Sequence, residues 1–248
     1  MVKTSAAYDR IGVGYTATRR PDPRIAAQIE AALSGCASVV NVGAGSGSYE
    51  PTDRRVVAVE LAATMIAQRP PHAAPCLRGR AEALPLRDGA CDAALSILSL
   101  HHWSDWRAGL AEMRRVGGRV VLLTFDPQWA DRFWFTRDYL PEGIAADVAA
   151  WPTLEETVAA PPGAAVHVVP IPRDCFDGFY CAYWARPAAY LDADVRRGMS
   201  IFARVADAAV ARAVAQLRDD LASGAWQARY PDLQTTAARD LGYRLVVA

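Results

Sequence analysis

Residues 39–47, with the sequence V-V-N-V-G-A-G-S-G, constrain the fold of this 248-residue chain more than any other segment. A continuous β-branched apolar run is typical of a buried parallel strand. The glycines that follow it allow a tight turn and a close approach of a ligand to the backbone, because they carry no Cβ. A second apolar run, residues 56–59, ends on Glu60. A glycine turn after one strand and a carboxylate at the end of the next is an arrangement that holds an adenosine, with the carboxylate accepting the ribose hydroxyls.

The spacing of the glycines bears on which adenosine cofactor is held. The pattern is G-x-G-x-G, and Ser48 occupies the third glycine position of the dinucleotide fingerprint G-x-G-x-x-G. The next residues include Glu50, an acid that serves an anionic pyrophosphate poorly. S-adenosylmethionine carries a sulfonium and an ammonium and tolerates a nearby acid, so the pattern favours it over NAD. Taken alone, the glycines are equally compatible with a structural turn that holds no ligand.

Further motifs follow in a fixed order. Segment 81–86 reads A-E-A-L-P-L, segment 92–103 reads D-A-A-L-S-I-L-S-L-H-H-W, and a strand pattern begins at Gly117 and Gly118. With the glycine loop and Glu60, this set resembles the class I S-adenosylmethionine-dependent methyltransferases, in the small-molecule branch similar to the ubiquinone/menaquinone-biosynthesis type. The resemblance covers roughly residues 8–127, and the end of the sheet recurs near the C-terminus.

The resemblance implies a set of cofactor-binding residues. They lie in the glycine loop, after the second strand, in the A-E-A-L-P-L segment and after the fourth strand: Gly43, Ala44, Gly45, Ser46, Glu60, Leu61, Ala81, Glu82, Ser96, Ile97 and Leu98. Related proteins close an N-terminal leader over the cofactor, which makes Tyr15 and Arg19 candidates for the methionine carboxylate. Asn41 departs from the family, which commonly has Asp there, and this weakens any direct electrostatic contact with the cofactor.

The expected fold is a doubly wound, seven-stranded, mostly parallel α/β sheet of the Rossmann-like methyltransferase type with a helical cap. One domain spans residues 1–248. Its expected parts are an N-terminal lid and first helix (1–35), a cofactor-binding core (36–127), a cap segment (128–165), a strand (166–172), an inserted helical cap (173–242) and a last strand (243–248).

Aromatic residues crowd the region after residue 127. Their density beside the cleft suits a lid over an apolar or planar substrate, although such residues more often form core. The candidate substrate contacts are Trp129, Trp134, Asp174, Asp177 and Phe179. Asp174 or Asp177 orients a substrate nucleophile in this interpretation; the alternative is a turn stabilised by aspartate bonds to the local backbone.

His102, and after it His101, are the candidate general bases, because they follow the fourth strand and imidazole titrates near neutral pH. A base is optional, since alignment supplies much of the acceleration of a methyl transfer. The alternative is that one histidine packs in the structure and the other stacks on the cofactor. No His, Cys, Asp or Glu spacing typical of a metal site is present, so we expect no metal.

Charge and composition narrow the class of protein. The formal net charge is zero, which argues against nucleic acid as a partner. Five cysteines without C-x-x-C spacing indicate reduced thiols. No leader and no long apolar span is present, so we expect a cytoplasmic enzyme that is a monomer or homodimer, acts on a small molecule and does not bind membranes. The alternatives are a nucleotide-cofactor oxidoreductase and a non-catalytic protein that binds S-adenosylmethionine.

Overall fold

A seven-stranded sheet forms the centre of the molecule. The computed structural model describes residues 18–159 and 163–248. The strands lie in the order β3-β2-β1-β4-β5-β9-β6. Strands β1 to β5 pair in parallel, whereas β9 is antiparallel to both β5 and β6. The bounds are β1 (Ser38–Val42), β2 (Arg55–Glu60), β3 (Cys76–Arg78), β4 (Cys91–Ile97), β5 (Gly117–Phe125), β6 (Ala165–Val168) and β9 (Tyr243–Val247).

Alternate residues of the central strands pack into two separate hydrophobic cores. Helix α1 (Pro23–Ala32) buries Ile25 and Ile29 in the same core as Val39 of β1. Helix α3 (Trp106–Val116) buries Met113 in the other core, together with Val40. Because adjacent side chains of a strand point to opposite faces, α1 and α3 cover opposite faces of the sheet. The doubly wound, mostly parallel α/β fold expected from the sequence is therefore confirmed.

The helices begin where the sequence supplies caps. Asp22 accepts a hydrogen bond from the backbone N–H of Arg24 at the start of α1, and Pro23 occupies the first helical position. Asp105 accepts hydrogen bonds from two backbone N–H groups at the start of α3. The helices outside the cap are α1 (Pro23–Ala32), α2 (Ala63–Ala67) and α3 (Trp106–Val116).

The cap follows β5 and is completed between β6 and β9. Its helices are α4 (Trp134–Asp138), α5 (Glu142–Ala150), α6 (Leu154–Ala159), α7 (Ala193–Arg197), α8 (Asp207–Ser223) and α9 (Ala225–Arg229). Five 3₁₀ turns join them: Pro127–Arg132, Tyr180–Tyr183, Pro187–Leu191, Ser200–Ala203 and Pro231–Gln234. The cap has an aromatic core in which Phe135 stacks on Tyr190, with ring centroids 4.6 Å apart. This core is continuous with the core beneath α1.

The strand expected at residues 166–172 is divided in two. Strand β6 ends at Val168, before Pro170, whose missing N–H cannot continue a ladder. The next two residues form β7 (Ile171–Pro172), which pairs antiparallel with β8 (Ala238–Arg239) in a separate sheet.

Candidate functional site

The glycine loop after β1 has left-handed backbone at Gly43, Gly45 and Gly47. A Cβ on Gly43 would lie 2.5 Å from Ser99 Oγ, so this glycine is required by the packing of the protein. A Cβ on Gly45 would approach only Met65 Cε, at 3.3 Å. The packing of the protein therefore leaves Gly45 closed in only by the end of one flexible side chain, and an added Cβ would take up space beside the loop.

Glu60, at the end of β2, holds the same loop. Its Oε2 accepts a hydrogen bond of 2.8 Å from the N–H of Gly45, and its Oε1 accepts one of 2.8 Å from the N–H of Ala62. Each oxygen of an ionised carboxylate has a second lone pair. Glu60 can therefore also accept the two ribose hydroxyls of an adenosine beside the loop.

The charge of Glu50 is neutralised beneath the loop. Its carboxylate accepts bonds of 2.7 and 2.8 Å from Arg69, and both side chains are almost fully buried. The amide of Asn41 donates to Glu50 as well, at 3.1 Å. The sequence argument that a charged Glu50 would repel a pyrophosphate is therefore not supported, because the acid is already paired. Asn41 is bonded to this pair, consistent with an indirect role.

The A-E-A-L-P-L segment lies against the start of α3. The carboxylate of Glu82 accepts hydrogen bonds from the N–H and hydroxyl of Ser104, at 2.7 and 2.6 Å, and from the N–H of Asp105. Burial opposes the charge of Glu82, but these bonds lower its pKa. Glu82 thus anchors the segment through Ser104, and its contact with the cofactor stays a prediction, as does that of Ala81.

The residues after β4 connect the glycine loop to the cap. Ser96 is fully buried and its hydroxyl bonds that of Ser99 at 2.6 Å. Ser99 lies against Gly43. Leu98 has a left-handed backbone, with φ of 49°, and it lines a cavity on the cap side. A ligand that follows this edge from the loop therefore reaches the cap cavity at Leu98. The predicted contacts of Ala44, Ser46, Leu61 and Ile97 lie on the same edge and stay predictions.

Residues 18–22, which we call the strap, connect α1 to the cap. Arg19 Nε donates a 2.6 Å bond to Asp177 Oδ1, and the hydroxyl of Tyr49 donates a 3.0 Å bond to Asp177 Oδ2. Asp177 is only 1% exposed. The strap, the glycine loop and the cap therefore meet at one buried carboxylate. Tyr15 lies outside the described residues.

Asp177 and Asp174 occupy different environments. Asp177 holds Arg19, whereas the side chain of Asp174 is 67% exposed and bonds Arg24 at 2.7 Å. Trp134, another candidate, lies in the aromatic core of the cap and donates its indole N–H to the carbonyl of Trp184. In the structure described here, these three side chains are engaged with protein partners. Trp129 is half-buried beneath the guanidinium groups of Arg132 and Arg244.

His101 and His102 occupy different environments at this edge. Both lie in a 3₁₀ turn (Leu100–His102) that follows β4. His101 is buried, stacks on Trp151 with ring centroids 3.8 Å apart and lines the cap cavity. The ring of His102 lies against that of His101, at 3.5 Å between centroids, and is half-buried. His101 therefore lines the cavity, although the sequence analysis ranked it after His102 as a candidate base.

The cap cavity has a volume of about 60 Å³. Its aromatic walls include Phe125, Trp151, Phe179 and Tyr243, of which only Phe179 was a sequence candidate. The sequence analysis also missed two charged residues that line it, Asp147 and Arg204. Gly143, Asp147 and Trp151 recur at intervals of four residues, a spacing that puts them on one helix face. This spacing is the sequence signal that could have identified Asp147 as a buried acid.

Two features are absent from the described residues. No group of three His, Cys, Asp or Glu side chains in residues 18–159 and 163–248 could hold a metal ion. Within the same residues, no helix is both long enough and apolar enough to cross a membrane.

Comparisons with known proteins agree with this geometry. The family model described as "Methyltransferase domain" matches residues 40–122. A crystal structure from Anabaena variabilis, assigned as a methyltransferase from an antibiotic biosynthesis pathway, is 32% identical, with 93% of this chain and 98% of that chain covered and a TM-score of 0.85. The ubiquinone/menaquinone biosynthesis C-methyltransferase of Syntrophotalea carbinolica is 29% identical, over 56% of this chain and 68% of its own length.

A more distant structure shows the fold alone. It is the geranyl diphosphate C-methyltransferase of Streptomyces coelicolor with S-adenosyl-L-homocysteine bound, 15% identical over 90% of this chain and 77% of that chain, with a TM-score of 0.52. The resemblance indicated by the sequence motifs is confirmed. This chain belongs to the class I S-adenosylmethionine-dependent methyltransferases, and S-adenosylmethionine is its cofactor.

Proposed function

We propose that this enzyme transfers the methyl group of S-adenosylmethionine to a small, planar and largely apolar acceptor. The observation that carries the proposal is the cap cavity. Its walls are largely aromatic, and they include Leu98, which also borders the cofactor edge. Flat aromatic walls favour a planar ligand. The acceptor would lie against Phe179 and His101.

The cofactor would be held by the edge that precedes the cavity. We propose that Glu60, which holds the N–H of Gly45, also accepts the ribose hydroxyls, and that the backbone of Gly45 lies against the methionine part. When bound, S-adenosylmethionine supplies a methyl group activated by its sulfonium. The chain's own residues bind it and align the acceptor with it, and alignment of this kind supplies a large share of the rate enhancement. Arg19, held by Asp177, is proposed to contact the methionine carboxylate, as the resemblance to related methyltransferases implies.

The volume of the cavity indicates that the cap opens before an acceptor binds. Sites for small ligands typically enclose about 300–1,000 Å³, several times the 60 Å³ present here. The ring of His102 contacts that of His101. We keep the proposal that His102 is the general base. The alternative is that His101 contributes instead, as a wall of the acceptor site.

The similar proteins support a small-molecule acceptor. One is a C-methyltransferase of ubiquinone/menaquinone biosynthesis and the other is assigned to an antibiotic pathway. The zero net charge agrees, since a nucleic-acid substrate calls for a basic surface. We expect the enzyme to act in the cytoplasm as a monomer or homodimer, and size-exclusion chromatography with light scattering tests the oligomeric state.

Two measurements test the proposal in sequence. Calorimetric titration should show binding of S-adenosylhomocysteine and none of NAD. Metabolite extracts incubated with the enzyme and methyl-labelled cofactor should then yield a labelled small molecule. Binding of NAD instead would support the oxidoreductase alternative. Cofactor binding with no labelled product from any extract would support a non-catalytic cofactor-binding protein.

A further inference from the structure

Asp147 is a buried carboxylate in the wall of the cap cavity. It lies on the inner face of α5 and is only 4% exposed. Arg204 Nη2 donates a 2.6 Å hydrogen bond to its Oδ1. No hydrogen bond to Oδ2 is found within the part of the chain that the structure describes. A carboxylate removed from water normally requires compensation at both oxygens, so Oδ2 is available to a ligand in the cavity.

The position of Asp147 connects it to the cofactor edge. Trp151 directly follows α5, its backbone N–H donates a 3.0 Å hydrogen bond to the carbonyl of Asp147, and its ring stacks on His101. Leu98 and Arg19 line the same cavity from the cofactor side. Once the cap has opened, an acceptor that lies between α5 and the cofactor edge contacts Asp147 on one side and faces the cofactor on the other.

The charges around the cavity select the kind of acceptor. They form two ion pairs, Arg204 with Asp147 and Arg19 with Asp177, which are together neutral. An acceptor with an ammonium group would place a third cation beside two guanidinium groups. A neutral hydroxyl adds no charge, and the negative charge that grows on its oxygen as it loses its proton is stabilised by Arg204.

We propose that Asp147 is the catalytic base of this methyltransferase and that its acceptor is a planar molecule bearing an ionisable, phenol-like hydroxyl. The inference rests on the proposed function and names its substrate class. Arg204 is the positioning residue, because it holds the carboxylate through Oδ1 and leaves Oδ2 directed to the acceptor.

The step balances with the groups named. Asp147 Oδ2 accepts the hydroxyl proton while a lone pair of the acceptor oxygen forms the bond to the methyl carbon. The carbon–sulfur bond breaks, and its electron pair stays on the sulfur of the cofactor. Asp147 is left as a carboxylic acid, and it returns the proton to water when the methyl ether departs.

The groups facing Asp147 leave it suited to this task. They are Arg204, Arg19, His101, Tyr180, Cys181 and Tyr243. Burial raises the pKa of Tyr180, Cys181 and Tyr243, so these three stay neutral. Burial also raises the pKa of Asp147, to about 6, against the attraction of Arg204. Asp147 is therefore ionised at neutral pH and more basic than an ordinary aspartate.

Binding of two matched probes tests the inference without turnover. The protein is loaded with S-adenosylhomocysteine and titrated with para-nitrophenol and with para-nitroanisole, its methyl ether, which lacks the hydroxyl proton. We expect the wild type to prefer the phenol by on the order of tenfold, as for a hydrogen bond to a charged group. The preference should shrink toward unity in Asp147→Asn, and in the wild type below about pH 6. Glu142→Gln removes an exposed acid from the same helix and should keep the preference.

Activity provides a second readout once an acceptor is found. Asp147→Asn should lower the methyl-transfer rate by about 10²–10⁴-fold, as expected for loss of a general base. It should also abolish the rise in rate through about pH 6, with cofactor affinity unchanged.

Three results would overturn the inference. They are equal or undetectable binding of the two probes by the wild type, an unchanged preference in Asp147→Asn, and a product methylated on carbon or nitrogen. Failure to bind S-adenosylhomocysteine at all would instead overturn the proposed function, so the two failures are distinguishable.

Discussion

Glu60 holds the glycine loop, and we propose that it holds the ribose of the cofactor as well. Its two oxygens accept hydrogen bonds from the N–H groups of Gly45 and Ala62. Removing the carboxylate would therefore release the loop and, under the proposed function, remove the ribose contacts too. In a position like this, the identity of a residue can be predicted from its place at the end of a strand, because parallel strands bring their carboxyl ends to one edge.

Glu60→Ala should weaken the binding of S-adenosylhomocysteine by on the order of tenfold or more, because charge-assisted hydrogen bonds are lost. Isothermal titration calorimetry measures the affinity, and thermal melting checks that the variant folds. Glu155→Ala, an exposed acid of α6, is the control and should bind as the wild type. An unchanged affinity in a folded Glu60→Ala would refute the assignment.

Substitution of the two histidines should affect activity differently, because they occupy different positions relative to the cavity. His101 lines the cavity and stacks on Trp151, whereas His102 lies behind it. His101→Ala should lower the yield of labelled product from metabolite extracts more than His102→Ala does, with cofactor affinity retained in both. A larger loss in His102→Ala would restore the original hypothesis that His102 is the general base.

At the scale of elements, the glycine loop has two functions that the sequence pattern does not separate. Gly43, Gly45 and Gly35 all have positive φ, but their surroundings differ. An added Cβ on Gly43 would clash with Ser99 Oγ at 2.5 Å, whereas one on Gly45 would meet only the flexible end of Met65, at 3.3 Å. An added Cβ on Gly35 would have no atom within 4 Å, so Gly35→Ala measures only the cost of placing alanine in a left-handed backbone conformation.

Alanine substitutions should separate these functions. Gly43→Ala should destabilise the fold more than Gly35→Ala, because a clash adds to the left-handed strain that both share. Gly45→Ala should lose cofactor affinity while its stability resembles that of Gly35→Ala. Urea denaturation gives the free energies of unfolding and calorimetry gives the affinities. If Gly45→Ala bound the cofactor normally, the loop would be a structural turn.

The strap and the cap give a second matched pair, Asp177→Asn and Asp174→Asn. Asp177 compensates a buried guanidinium and a buried phenol, so its loss should cost about 3–5 kcal/mol of unfolding free energy. Asp174 and Arg24 form an exposed pair, so the loss of Asp174 should change the unfolding free energy little. Urea denaturation of both variants measures the difference. Equal costs would show that the strap does not depend on Asp177.

For the whole molecule, the sequence correctly predicted the sheet, and it also supplied the hypothesis of a cofactor edge, because both arise from local patterns. Apolar runs, a glycine turn and a terminal acid recur within a few residues of one another. The cap cavity is built from partners far apart in the chain, such as Asp147 with Arg204 and Arg19 with Asp177. An aromatic cluster also does not show which rings face a ligand, and Trp134 therefore proved to be core of the cap.

The buried Asp147 should be visible in the pH dependence of global stability. Burial raises its pKa from 3.8 to about 6. Between these values the folded state binds this proton more tightly than the unfolded state, so the unfolding free energy falls as pH rises from about 4 to 6 and levels off above. The difference of about two pH units corresponds to about 3 kcal/mol.

Urea denaturation of wild type and Asp147→Asn across this range isolates the contribution, since other titrating groups are common to both. Wild type should lose about 2 kcal/mol relative to the variant between pH 4 and 7, since the rest of the difference arises below pH 4. A constant difference across the range would mean that the carboxylate is ionised as readily in the fold as in water, and that Arg204 fully compensates its burial.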